Sequence, residues 1–193
     1  MTMTTVHVGP FATTLASKAP PRIIVLMGVS GCGKTTTGKR LAMALGWPFR
    51  DADSFHPQAN IAKMASGRAL DDDDRAPWLA AIAAWIDTQR ASNESGIVSC
   101  SALKRRYRDV LIGGRTDVRL VYLMGSLALI GDRLSRRKGH FMPPALLRSQ
   151  FQALEAPTAD ELALAVSIRW PPKRIVAEII SECALHPVRR IMT

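Results

Sequence analysis

Residues 28–35 read Gly28-Val-Ser-Gly-Cys-Gly33-Lys34-Thr35, a complete G-x-x-x-x-G-K-T pattern. An apolar run, Ile23 to Met27, precedes it, and a helical pattern, Lys34 to Leu45, follows and closes at Gly46. Strand, glycine-rich loop and helix in that order make a phosphate cradle. The glycines let the loop wrap closely, so that backbone N–H groups converge on a bound phosphate. The helix N-terminus adds positive potential at the same place. Gly28, Val29, Ser30, Gly31, Cys32 and Gly33 would supply this cradle, running on through Lys34 and Thr35 to Thr36. Lys34 is expected to reach the β- and γ-phosphates, and the Thr35 hydroxyl to ligate Mg²⁺ beside ATP. Cys32 is read as a small filler, with a redox role as the alternative.

Beyond the loop, strands and helices alternate. Pro48 to Arg50, Ile97 to Cys100, Arg119 to Leu123 and Leu162 to Ile168 read as further strands. Trp78, Leu79, Ile82, Trp85 and Ile86 share one helical face, and a basic amphipathic helix is expected over Ala102 to Ile112. The remaining helices are expected around Leu127 to Leu134, Pro143 to Leu154 and Lys173 to Cys183. This order predicts a three-layer α/β fold of the P-loop type, with a five-stranded parallel sheet flanked by helices. Residues 1–20 are expected to be a flexible tail and residues 21–193 a single domain.

The composition narrows the function classes. Of 193 residues, 47% are apolar and 22% charged, the balance of a globular domain with its own core. Cys32, Cys100 and Cys183 have no paired spacing, which argues against a disulfide framework or zinc site and for a reducing, cytoplasmic setting. No apolar run is long enough to span a membrane. The net charge of +10 fits a cationic basin for anionic ligands or a general surface bias. The basic residues are scattered and lack interleaved aromatics, so nucleic-acid binding is not expected.

A guanine-reading N-K-x-D motif and a D-x-x-G switch are both missing from the sequence. That leaves transfer of a phosphoryl group to a small acceptor, which needs a base, an acceptor site and a cationic cover. The second strand leads into Asp51-Ala-Asp53, at the sheet edge where ligands gather. In an extended segment these two carboxylates would point the same way. Asp53 is the candidate base and Asp51 the candidate water-mediated Mg²⁺ ligand; a helix cap or turn is the alternative. Arg133, Arg136, Arg137 and Lys138 end a helix where a lid, about 136–144, would begin. Arg133 and Arg137 are candidates to clamp the transferring phosphoryl group. For the aspartates at 71–74, a helix cap at Asp73 or Asp74 is preferred to a metal site, with the helix starting near Pro77.

Several blocks resemble the P-loop gluconokinases, relatives of shikimate and nucleoside-monophosphate kinases. They include Asp51-Ala-Asp-Ser-Phe-His-Pro57, Asn60-Ile-Ala-Lys-Met-Ala-Ser-Gly67 and Leu70-Asp-Asp-Asp-Asp-Arg75 with Pro77-Trp-Leu79. Leu26-Met-Gly-Val-Ser-Gly-Cys-Gly-Lys34, Cys100-Ser-Ala-Leu-Lys104 with Tyr107-Arg108-Asp109, Arg137-Lys-Gly-His-Phe-Met142, Ser149-Gln-Phe151 and Leu154-Glu155-Ala-Pro157 with Asp160-Glu161 complete the set. The resemblance implies a homodimeric, ATP- and Mg²⁺-dependent enzyme acting on the 6-hydroxyl of gluconate. It also implies that residues 53–75 form a helical acceptor-side segment. A sugar-acid carboxylate is best held by a guanidinium or ammonium, for which Lys63, Arg75, Lys104 and Arg108 are the candidates. Asp53 and His56 can bond its hydroxyls. The stretch Ser167-Ile-Arg-Trp170 departs from the family, which usually carries an acidic residue there. Shikimate kinase is the second reading, against which Cys100-Ser101 stands in place of that family's glycine triplet. A nucleotide-binding module without catalysis is the third.

Overall fold

The apolar run forms strand β1 (Ile23–Met27), whose side chains are all fully buried in the computed structural model, which describes residues 22–136 and 144–188. The expected tail, Arg137 and most of the expected lid, 137–143, lie outside the described residues. Burial on both faces is what a central parallel strand requires, and it explains the unbroken run of β-branched and long apolar side chains. Strands β2 (Phe49–Asp51), β3 (Gly96–Ser99), β4 (Val118–Met124) and β5 (Leu164–Ser167) complete a parallel sheet in the order β2-β3-β1-β4-β5.

The period of two along β1 divides the core into two layers. Ile24 and Leu26 face the helices α1 (Lys34–Leu45), α5 (Leu127–Ser135), α6 (Pro144–Ala153) and α7 (Pro172–Glu182). Ile23, Val25 and Met27 face α3 (Asp72–Ala91) and α4 (Arg105–Ile112). On α3 the anticipated apolar face is present: Trp78, Leu79, Ile82 and Ile86 are buried, and Trp85 packs against them half-buried. The short α2 (Gln58–Ala65) stands between β2 and α3 in the chain.

Two local expectations are corrected. Helix α3 starts at Asp72, not near Pro77, and its cap is Asp71 rather than Asp73 or Asp74. Asp71 accepts the Asp74 N–H at 2.9 Å, and the Asp74 carboxylate accepts the Asp71 N–H at 2.8 Å. This reciprocal pairing satisfies two otherwise open donors, and Asp72, Asp73 and Asp74 complement the positive end of the helix. Pro77 is inside the helix. The second correction is at β2, which ends at Asp51; residues Ala52–Phe55 form a 3-10 turn instead of continuing the strand. The Asp51 carboxylate accepts the Asp53 N–H, and the Trp78 indole donates to the Ala52 carbonyl at 2.8 Å, which locks the turn.

A buried ion pair joins α4 to the segment after α6. Arg108 and Glu161 are 1% and 6% exposed, with Arg108 Nη2 donating to Glu161 Oε1 at 2.8 Å. Arg108 Nη1 also donates to the carbonyls of Ala102, Leu103 and Glu155. The guanidinium holds the Glu161 carboxyl below its ordinary value of 4.5. Because the folded-state value is the lower one, this stabilisation is complete above 4.5 and is lost as pH falls through the folded value. Replacing Glu161→Gln leaves a buried guanidinium without its counter-charge. Urea unfolding at neutral pH should show a loss of about 3–5 kcal/mol, and the variant's stability should change less than the wild type's on acidification. A loss below about 1 kcal/mol, the range of an exposed pair, would contradict this role.

Candidate active site

The carboxyl ends of β1, β2 and β3 converge on two adjoining cavities. The first, of about 760 Å³, is lined by Ser30 to Thr37 of the phosphate loop and helix α1, and by Asp51, Asp53, Ser99, Arg133 and Trp170 among others. The second, of about 690 Å³, is lined by His56, Arg68, Arg75, Trp78, Lys104 and Tyr107 among others. Asp53, Met64, Ser101 and Gln150 line both. Asp53 therefore stands on the seam between a phosphate loop and a cationic chamber.

The loop geometry follows from its residue types. Gly28 has φ +141°, and a Cβ there would sit 2.9 Å from the Leu123 carbonyl oxygen, so no side chain fits. Gly28 and Val29 do not line the cavity; their carbonyls accept Lys34 Nζ at 2.9 and 3.2 Å. The lysine thus lies folded over the loop, where a triphosphate would offer it stronger, charged acceptors. The Thr35 hydroxyl donates to Asp51 Oδ2 at 2.8 Å. A hydroxyl beside a carboxylate is a hard oxygen set that suits Mg²⁺, which keeps most of its shell as water and phosphate oxygens. Cys32 is buried against the loop, and burial pushes its thiol up against the opposing pull of Lys34. Cys100, also buried, is pushed up to about 12, and Cys183 to about 11. All three are free thiols, which fits packing rather than nucleophilic chemistry.

The second chamber carries positive charge around an aromatic floor. Lys104 Nζ and the Arg75 guanidinium lie 5.6 and 6.0 Å from the centre of the Tyr107 ring. Asp72 gathers the Tyr107 hydroxyl, Arg106 and Lys104, the last at 3.3 Å, and these partners hold its carboxyl below the ordinary range. His56 stacks on Trp78 with ring centroids 4.6 Å apart and planes 8° from parallel. Its Nδ1 is buried with no hydrogen-bond partner, as is Ser99 Oγ in the wall of the first cavity.

Comparison with known proteins decides the family. A family model described as shikimate kinase matches residues 30–183. The gluconokinase of Gluconobacter oxydans is 46% identical, over 83% of this chain and 90% of that one. The thermoresistant gluconokinase of Escherichia coli is 44% identical, over 82% and 91%. A crystal structure of a gluconokinase from Sinorhizobium meliloti superposes with a TM-score of 0.77 at 45% identity, covering 85% and 92%. The chain belongs to the shikimate kinase family, and within it to the gluconokinases.

Set on this gluconokinase framework, the residues expected from sequence separate into two groups. Lys34, Thr35, Thr36, Asp51, Asp53 and Arg133 line the first cavity, and Asp53, His56, Arg75 and Lys104 the second. Lys63 and Arg108 line neither. Lys63 bridges Asp71 at 2.9 Å and Asp74, tying α2 to the start of α3. Arg108 is consumed by the buried pair with Glu161. Arg68, Tyr107, Ser101, Gln150 and Trp170 are lining residues that sequence reasoning did not single out as site residues. Tyr107, Gln150 and Ser101 fell inside the family-like blocks, which was the one available signal. Trp170, in the stretch that departs from the gluconokinase pattern, lines the first cavity, and the Arg174 guanidinium lies over its ring, 3.3 Å from the centre.

Burial beside Trp78 lowers the His56 pKa from 6.5; the nearby Asp53 carboxylate opposes this and Arg75 adds to it. His56 is accordingly neutral at pH 7 and offers a lone pair or an N–H according to tautomer. An NMR titration should place its midpoint below 6.5, and Trp78→Ala should return it toward that value by re-solvating the ring. A wild-type midpoint at or above 6.5 would contradict this account.

Proposed function

We propose that the chain transfers the γ-phosphoryl group of ATP to the 6-hydroxyl of D-gluconate, giving 6-phospho-D-gluconate and ADP. The observation that carries this reading is the position of Asp53 on the seam between the phosphate-loop cavity and the cationic chamber. The family membership supports gluconate as the acceptor. The triphosphate would lie along Ser30 to Thr36, with Lys34 released from the loop carbonyls to the β- and γ-phosphates. Trp170 offers a face on the same cavity for the nucleotide base. Thr35 and Asp51 would hold Mg²⁺, whose positive charge would offset that on the transferring group.

Gluconate carries its carboxylate at one end and its primary alcohol at the other. With the carboxylate held by Arg68, Arg75 and Lys104, the opposite end reaches the seam. His56, which lines this chamber, would bond a hydroxyl between the two ends. Asp53 accepts the proton of the 6-hydroxyl as that oxygen attacks phosphorus, and the bond from phosphorus to the ADP oxygen breaks. Arg133, with Arg137 beyond the described residues, would neutralise the equatorial oxygens. Residues 53–75 would form the acceptor side of this site, and a homodimer is proposed from the family alone.

Gluconate with ATP and Mg²⁺ should release ADP in a coupled assay far above a no-acceptor blank, with shikimate inert. Asp53→Asn should lower kcat ~10²-fold or more with nucleotide binding little changed. Arg75→Met and Lys104→Met should raise the KM for gluconate by about 10-fold or more, the effect of a lost charged hydrogen bond, and leave the KM for ATP unaltered. No gluconate-dependent ADP release would sink the reading. Wild-type turnover in Asp53→Asn would remove that residue from the role of base.

A further inference from the structure

Gln150, on α6, is the side chain that bridges the phosphate loop and the seam. Its Oε1 accepts the backbone N–H of Ser30 at 2.6 Å, and it lines both cavities. The orientation of this amide is not arbitrary. A backbone N–H can only donate, so the oxygen must face Ser30 and the nitrogen must face away from it. Among the described residues, no acceptor reaches Nε2. Its two N–H donors therefore belong to a side chain that is anchored to the phosphate loop and lines both cavities together with Asp53.

The polarity of the seam matters. Asp53 is an acceptor there and can serve the attacking alcohol, but it repels the oxygens of a phosphoryl group. A donor anchored to the loop backbone supplies the opposite need. The anchoring hydrogen bond also holds the Gln150 side chain in one rotamer before any ligand arrives, so little reorganisation is needed at the moment of transfer. We infer that Gln150 is a further catalytic residue, whose Nε2 donates to the γ-phosphoryl oxygens as the group crosses from nucleotide to acceptor. This rests on the kinase reading above and adds a contact to it.

The competing role is a strap that merely holds α6 on the loop, and two substitutions separate them. Gln150→Glu keeps an acceptor for Ser30 N–H but has no donor. Gln150→Met keeps the length and has neither. Donation to the γ-phosphoryl group predicts that kcat for gluconate falls ~10–100-fold in both variants, the scale of a lost hydrogen bond to a charged group. Calorimetry should show Gln150→Met weakening the non-hydrolysable imido analogue of ATP by several-fold to ~10-fold while ADP binds as in wild type. A strap predicts near-wild-type turnover in Gln150→Glu and equal weakening of both nucleotides in Gln150→Met. Either of those results, or a loss confined to the charged Glu variant, overturns the proposal. The nucleotide comparison needs no acceptor, so a failure of gluconate as substrate would leave it readable.

Discussion

The Asp51 carboxylate sets the spacing on which the site depends. One of its oxygens accepts the Thr35 hydroxyl at the start of α1, and the other accepts the Asp53 N–H in the turn after β2. Because β2 pairs with β3, which pairs with β1, the same aspartate is also fixed against Ser99 across the sheet. Phosphate loop and Asp53 are thereby referenced to a single rigid point at the end of a strand. Such anchoring is what an in-line transfer demands, since a shift of about 1 Å in the reacting geometry is costly.

Charge is partitioned with similar economy. The chain has 26 lysines and arginines against 16 acidic residues, yet many of the cations are tied up in the framework. Arg108 pairs with Glu161 in the interior, Arg115 with Asp87, Arg90 with Asp117, and Lys63 with the aspartates that open α3. The cations lining the second chamber are Arg68, Arg75 and Lys104, of which Arg75 and Lys104 both pair with Asp72, as Tyr107 also does. A counter-ion shared in this way orients an ammonium without neutralising it fully, and it remains at the mouth of a cavity where water still screens the pair. The net charge is thus divided between fold and site, and composition alone shows only the sum.

What sequence could reveal follows the range of the interactions involved. Strand β1 and helix α1 were legible to the residue, because a buried apolar run, a glycine loop and a C-terminal glycine are local signals. Asp51 and Asp53 line one cavity, but they meet through a 3-10 turn capped by Asp51, the alternative reading of this pair, and not through strand alternation. The turn depends on Trp78, 26 residues away, whose indole holds the Ala52 carbonyl. Lys63 and Arg108 were read as free cations because their partners, Asp71, Asp74 and Glu161, cannot be assigned from one-dimensional spacing. Gln150 carried no signal beyond its place in a family-like block, because the Ser30 N–H that it caps is 120 positions away.

The loop after β3 shows how a buried structural cation can set the walls of cavities that it does not line. Ala102 adopts φ +44°, in the left-handed region that a side chain with a Cβ enters at a cost. Its carbonyl and that of Leu103 are both held by Arg108, which is itself fixed by Glu161. The strained backbone carries Ser101 to the seam on one side and Lys104 to the chamber on the other. A relaxed loop would satisfy Ala102 locally but would not require those two side chains to diverge into adjoining cavities. The buried pair therefore lines neither chamber, yet it fixes the backbone from which both are furnished.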